Sequence, residues 1–195
     1  MKKILISPIV KKNKYNEILF SVENNWYNFF KKQNVSLITL SPNIKFIEED
    51  IRGVILQGGN DLPKFLNSKQ NILRKRNDIM ILKHALKNRI PVLAICYGFQ
   101  LLAESYGSKI SKIKNHVRKS HLLNFKGKDQ KKIYVNSFHN YGVFDLPNFF
   151  DEIIKDKDGS IEFARSKKKN IMCMMFHPER NLSNKLFIKK IIKEH

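Results

Sequence analysis

Short apolar runs recur along the chain, separated by longer stretches in which apolar residues return every three or four positions. Lys3–Ser7, Val35–Leu40, Gly53–Gln57, Pro91–Cys96 and Asn170–Phe176 read as strands. Pro91–Cys96 carries no charge, as expected of a central strand buried on both faces. Between these runs the helical period appears over Glu17–Lys32, with Leu19, Val22, Trp26 and Phe29/Phe30 on one side. It appears again over Ser68–Asn88, with Ile72, Ile79, Leu82 and Leu86 on one face, and over Phe99–Tyr106, where Gly107 ends the helix. Lys112–Ser166 alternates in shorter pieces, which predicts antiparallel hairpins and loops, and Asn181–Lys193 reads as a closing helix. Strands alternating with helices predict an α/β protein, a three-layer α/β/α sandwich around a mainly parallel sheet. No repeat, linker or shift in composition divides the chain, so one domain over residues 1–195 is expected.

Charge changes this picture little. Lys and Arg number 37 against 17 Asp and Glu, giving a formal net charge of +20. The cations run from Lys2 to Lys193 among many Asn and Ile, and they do not interleave with aromatics in a nucleic-acid-binding motif. They read as a solvated basic surface suited to an anionic ligand, and no nucleic-acid partner is expected. The opening residues have no cleavage signature, and no apolar run approaches the roughly 20 residues that span a bilayer, so a cytoplasmic location without membrane association is expected. Two cysteines, Cys96 and Cys173, give no disulfide framework. The six histidines, His84, His116, His121, His139, His177 and His195, show no zinc-type spacing, so neither a metal nor a cofactor is expected.

The chemistry concentrates where the charge-free strand ends. In Ala94-Ile95-Cys96-Tyr97-Gly98 a buried strand turns into a helix, with small residues two before and two after the cysteine. That is the pattern of a nucleophile elbow, in which a sharp turn exposes the nucleophile above the sheet and small neighbours let the backbones approach. The unpaired N–H groups of the helix start favour thiolate over thiol. His177-Pro178-Glu179 supplies a base and its orienter. In extended backbone residues i and i+2 project to the same side, so Glu179 can fix the ring of His177. Cys173, within Ile171–Phe176, has no such neighbours and reads as core. Gly58-Gly59-Asn60-Asp61 is a tight loop whose glycines let backbone approach a substrate.

Three stretches, GVILQGGND, PVLAICYGFQLLAESYG and FHPER, resemble in order and separation the motifs of class I glutamine amidotransferases, whose fold is flavodoxin-like. The resemblance spans nearly the whole chain. It implies a Cys96, His177, Glu179 triad that attacks a γ-glutamyl amide and passes through a glutamyl thioester. It also implies an oxyanion hole from the backbone N–H groups of Gly59, with Gly58, and of Tyr97, and a role for Gln100 in holding the glutamyl group. VNSFHNYGV resembles the corresponding motif of γ-glutamyl hydrolases. That resemblance implies a glutamyl pocket lined by Asn136, Ser137, His139, Asn140, Tyr141 and Gly142, with Asp61 matching the acid of a Gly-Gly-x-Asp signature. Ala94 stands where the family usually has Gly, and Asn140 and Tyr141 stand where His or Gln is common.

The expected activity is therefore free-standing hydrolysis of a γ-glutamyl amide, with no cofactor. The resemblance together with the basic charge points to an anionic leaving group. An example is the conversion of γ-glutamyl-CDP-amidate to glutamate and cytidine diphosphoramidate in capsular polysaccharide modification, with Lys112–Lys119 and cations near the Gly-Gly loop meeting the diphosphate. The alternatives are a γ-glutamyl-γ-aminobutyrate type of hydrolase and a glutaminase subunit that feeds ammonia to a synthase partner. Filled triad positions argue against a catalytically dead binding module.

Overall fold

The computed structural model describes residues 1–40, 50–125 and 131–180. The first apolar run forms β1 (Lys2–Ile6). A hairpin then interrupts the expected helical stretch: β2 (Ile9–Lys12) pairs antiparallel with β3 (Ile18–Ser21), and only Asn24–Phe30 is helical, as α1. Local turn chemistry overrides the periodicity here. The Asn13 side-chain oxygen accepts from the N–H groups of Tyr15 and Glu17, at 2.9 and 3.0 Å, and Asn16 takes a φ of +67°. Leu19, expected on the buried side, is accordingly exposed.

The chain continues through β4 (Val35–Ile38), β5 (Ile51–Leu56), α2 (Lys69–Lys87), β6 (Val92–Ile95) and α3 (Tyr97–Ser105). The stretch expected to hold hairpins does so, in β7 (Ile110–Lys112), β8 (Val117–Phe125), β9 (Lys131–Phe138), β10 (Tyr141–Val143), β11 (Glu152–Lys155) and β12 (Ile161–Ser166), all paired antiparallel. β13 (Ile171–Met174) is the last strand, and the helix expected over 181–193 lies outside the described residues.

Seven strands form the central sheet in the order β11-β12-β13-β6-β5-β1-β4, parallel from β13 to β4 and antiparallel at β11-β12-β13. This is the mainly parallel α/β architecture expected. Strand alternation divides the sheet's apolar residues between two cores. On one face Leu5, Val54, Leu56, Val92, Ala94 and Cys173 pack against Ile81 and Ala85 of α2 and Phe99 and Leu102 of α3. On the other, Ile6, Ile55, Leu93, Ile95 and Met174 pack against Trp26, Phe29 and Phe30 of α1 and against the β8–β9 hairpin. Among the described residues that second cover is therefore part helix and part hairpin. Cys173 lies fully buried in the first core, and burial pushes its thiol well above the ordinary range.

α2 begins at Ser68, whose side chain accepts from the Asn71 N–H at 3.2 Å. Its buried side departs from the expected apolar face. Ile72 is half exposed, whereas Asn71, Arg74, Asn77 and Asp78 are buried. The cause is what this half of the helix faces. Arg74 pairs with Asp78 at 2.8 Å, donates to the Gln57 carbonyl at 2.7 Å and to Ser7 Oγ at 2.9 Å, and lies 4.8 Å from the Tyr97 ring. It braces the ends of β1 and β5 against the start of α3. Among the described residues no helix is long and apolar enough to cross a membrane.

Candidate active site

β5, β6 and β13 are neighbouring parallel strands, so their C-terminal ends emerge side by side at one edge of the sheet. Such strands lie roughly 4.8 Å apart. The residues that follow them, Gln57-Gly58-Gly59, Cys96 and His177, are brought together by topology. In an open α/β sheet this edge is where ligands bind.

Cys96 takes φ +48° and ψ −103°, a conformation that L residues rarely adopt, as it passes from β6 into α3. Its N–H donates to the Met174 carbonyl at 2.8 Å, which holds the turn to the neighbouring strand. Gly98 makes the turn possible: a Cβ there would overlap the Leu56 carbonyl oxygen and sit 2.6 Å from Leu56 Cβ. Ala94 is fully buried, so its methyl group is accommodated in the position two before the nucleophile.

The Cys96 side chain and the His177 ring meet beside Gly58, and His177 Nδ1 lies 2.7 Å from Glu179 Oε1. With Nδ1 turned to the carboxylate, Nε2 is the nitrogen left for the sulfur. Burial alone would keep His177 neutral, but the contacts with Cys96 and Glu179 outweigh it and push its pKa up to about 10. His177 and Glu179 are both buried. The backbone of His177 is gripped at two points, its carbonyl accepting from Asn136 Nδ2 and its N–H donating to Asn136 Oδ1, each at 2.8 Å.

The Gly-Gly loop closes over this group. A Cβ on Gly58 would sit 2.5 Å from His177 Cε1 and 3.4 Å from Cys96 Cβ, and Gly59 has φ +114°. Asn60 ties the loop to β2, accepting from the Val10 N–H at 3.0 Å and donating to the Val10 carbonyl at 2.9 Å. The Tyr97 side chain is buried beneath α3, so only its main-chain N–H, in the first turn of the helix, can take part at the surface.

A cavity of about 330 Å³ opens above Cys96, lined by Gly59, Asp61, Gln100, His139, Asn140, Tyr141, His177 and Arg180 among others. Gln100 donates to the Tyr141 carbonyl at 2.8 Å, and the Tyr141 ring stacks on Phe65. Three of the residues expected in the pocket lie elsewhere. Side chains alternate along β9, so Ser137 falls on the same side as the buried Ile133 and Val135, and its hydroxyl donates to the His116 carbonyl. Asn136 is engaged with His177, and Gly142 pairs with Ser111 in the β10–β7 ladder.

Sequence reasoning missed Arg180, although it lies inside a recognised motif. Its guanidinium makes two 2.7 Å bonds to Glu23 and lies 5.0 Å from the Phe138 ring. Burial opposes the Glu23 charge, but Arg180 and Asn25 donate to it and hold it below the ordinary carboxylate range. Arg180, Gly59 and Asn60 also border a second hollow of about 650 Å³, walled by Val10 and Lys11 of β2 and by Ser21, Val22 and Glu23. The two hollows thus meet at shared residues. Arg74 and Asp78 were missed as well, though an Arg and an Asp spaced i,i+4 were available as a signal.

The model of the family described as Glutamine amidotransferase class-I matches residues 16–192. A gamma-glutamyl-CDP-amidate hydrolase of Campylobacter jejuni is 32% identical over 194 residues, covering 95% of this chain and 92% of that protein. A glutamine-hydrolyzing GMP synthase subunit from Methanococcus vannielii is 29% identical over 151 residues, 73% of each chain. Among solved structures, a glutamine amidotransferase from Thermotoga maritima superposes with a TM-score of 0.69 at 17% identity, covering 99% of this chain and 85% of the other.

Proposed function

We propose, from the premise that the chain belongs to the class I glutamine amidotransferase family and is an amide-bond hydrolase, that it releases glutamate from a γ-glutamyl conjugate with an anionic leaving group. One observation carries the reading. A cysteine at φ +48° lies beside the ring of a histidine whose Nδ1 is 2.7 Å from a buried glutamate, at the ligand-binding edge of a parallel sheet.

In this mechanism His177 and Cys96 form an imidazolium–thiolate pair steadied by Glu179. The sulfur attacks the γ-carbonyl carbon. The developing oxyanion is met by the N–H groups of Gly59 and Tyr97, with Gly58 giving the loop its close approach. His177 passes its proton to the leaving nitrogen, the C–N bond breaks and a glutamyl thioester remains. Water deprotonated by His177 then attacks the thioester, freeing glutamate and regenerating the thiolate. Gln100, Asp61, His139, Asn140 and Tyr141 hold the glutamyl group in the smaller hollow. Asn136 contributes by positioning His177.

The larger hollow, reached past Gly59 and Arg180 and bordered by Lys11, gives a bulky anionic leaving group a place to lie. The similarity to a gamma-glutamyl-CDP-amidate hydrolase supports γ-glutamyl-CDP-amidate as the substrate, with cytidine diphosphoramidate supplied to capsular polysaccharide modification. The similarity to glutamine-hydrolyzing GMP synthase subunits favours a second reading, a glutaminase that passes ammonia to a synthase. A panel of γ-glutamyl-CDP-amidate, γ-glutamyl-γ-aminobutyrate and glutamine, assayed for glutamate release, separates them. The nucleotide conjugate should give the highest kcat/KM. Equal rates on all three would remove the nucleotide assignment, and glutamine turnover appearing only with a partner would establish the second reading. Cys96→Ala should abolish release while leaving a folded chain, and retained turnover would remove the mechanism.

A further inference from the structure

Behind the cavity wall a second cluster of ionisable side chains plays no part in the chemistry above. His116 precedes β8, His121 lies within it, Asp156 follows β11 and Glu162 lies in β12; one ligand atom from each falls within 4.8 Å of the others. His116 Nδ1 lies 2.7 Å from the Lys114 carbonyl, a contact only an N–H can make. In the neutral ring, Nε2 then bears a lone pair, yet it faces Asp156 Oδ2 at 2.7 Å and Glu162 Oε1 at 4.0 Å. Nearby, His139 Nδ1 lies 3.1 Å from the Tyr141 carbonyl, and its Nε2 is 3.4 Å from Glu162 Oε1 without making a hydrogen bond. A lone pair turned toward a carboxylate needs a cation: a proton fits the His116–Asp156 spacing as it stands, and a metal ion bound to both atoms would open it to about 3.3 Å.

Two further observations favour the metal. His121 Nε2 and Glu162 Oε2 are buried with no hydrogen-bond partner, and Glu162 is fully buried. A proton on His116 would leave both atoms unsatisfied. The ligands are also held from behind, as metal ligands are: Lys114 fixes the His116 tautomer, and Asp156 Oδ1 accepts from the N–H groups of Asp158 and Ser160 at 2.9 and 3.0 Å. A hollow of about 470 Å³ lined by Asn115, His121, Asp156 and Asp158 leads to the cluster from the surface.

We propose that His116, His121, Asp156 and Glu162 bind one divalent transition-metal ion, with zinc the cation best suited to two imidazole nitrogens and two carboxylate oxygens. The absence of zinc-type spacing in the sequence is no obstacle, because the four ligands come from two hairpins that only the fold brings together. Such an ion staples β8 to the β11–β12 turn. It also fixes Glu162, which lies 3.4 Å from His139, a residue lining the substrate cavity with Asn140 and Tyr141.

The test uses the full chain carrying Cys96→Ala, so that the thiolate cannot compete for metal, stripped with a chelator and titrated calorimetrically with zinc chloride. One equivalent should bind, and the melting temperature should rise. His121→Ala and the isosteric Asp156→Asn should each weaken binding at least about tenfold, while Lys119→Ala, beside the hollow but not a ligand, should not. Loss in the Asp156→Asn chain decides the matter if His121→Ala does not fold. Absence of saturable binding, or one equivalent with undiminished affinity in both ligand variants, would overturn the proposal in favour of a proton-bridged cluster or of binding elsewhere.

Discussion

Gly58→Ala separates catalysis from folding at a single methyl group. The new Cβ would lie 2.5 Å from His177 Cε1, whereas carbon atoms settle at about 3.5–4.0 Å. The ring must therefore retreat by about 1 Å. Its backbone cannot follow, because Asn136 holds both the carbonyl and the N–H at 2.8 Å, so the displacement falls on the side chain that faces Cys96. A misplacement of about 1 Å costs on the order of 10²-fold in rate, or about 2.7 kcal/mol of transition-state stabilisation. The fold should suffer less. Gly58 is not among the positive-φ residues, so alanine suits its backbone and gains about 0.4–1 kcal/mol, partly offsetting about 1–3 kcal/mol of overpacking. Glutamate release and thermal melting, measured on the same preparation, should show kcat/KM down about 100-fold with a melting temperature within a few degrees of the parent. Gly98→Ala is the contrast: its Cβ would strike the main chain at Leu56, which cannot swing aside, and folded protein should be lost. A Gly58→Ala enzyme within threefold of wild type would refute the placement of His177 against the loop.

Glu179→Gln should lower kcat by about 10²–10⁴-fold while leaving a folded chain, read by steady-state kinetics beside circular dichroism; near-normal kcat would deny Glu179 its orienting role. Arg74→Met leaves Asp78 buried without its partner and should cost about 3–5 kcal/mol in urea denaturation, with Arg74→Met/Asp78→Leu recovering part of it. A loss under 1 kcal/mol would show that the brace is dispensable. The His177 pKa is raised to about 10 from an ordinary value near 6.5, so its charged contacts contribute their full stability below about pH 6.5 and lose it as pH climbs through 10. The melting temperature should therefore fall across that window, and fall less in Cys96→Ala, which lacks one of the contacts raising the pKa; equal slopes would contradict the coupling.

The sheet, and the meeting of Cys96, His177 and Glu179 at its edge, were legible because each rests on a local signal. The run Pro91–Cys96 announces a central strand by its lack of charge, and the small residues about Cys96 announce a tight turn. His-Pro-Glu carries its own geometry in the i,i+2 relation. What escaped depends on distant partners or competing local chemistry. Asn13 and Asn16 made a hairpin within an apparently helical stretch. Arg74 looked like a solvent-facing cation until the ends of β1 and β5 supplied its acceptors. Ser137 and Asn136 were adjacent in a motif, yet strand alternation sent them to opposite sides of β9. Glu162, within Ile161–Ala164, gave one warning that could have been read, a charge in an otherwise apolar run.

The two sides of the cleft at Cys96 differ in how freely they can change. The side at Cys96 is made from strand ends, where Gly98 passes too close to Leu56 to tolerate any side chain. The far side is largely the β2–β3 hairpin, attached to the Gly-Gly loop through Asn60 and Val10 and to the sheet through Gln57, which donates to the Ser21 carbonyl at 3.3 Å. Such a hairpin can be lengthened, recharged or transplanted without moving the sulfur. Selection, or an engineer, could thus recut the larger hollow as a cassette while the surroundings of the sulfur are inherited unchanged.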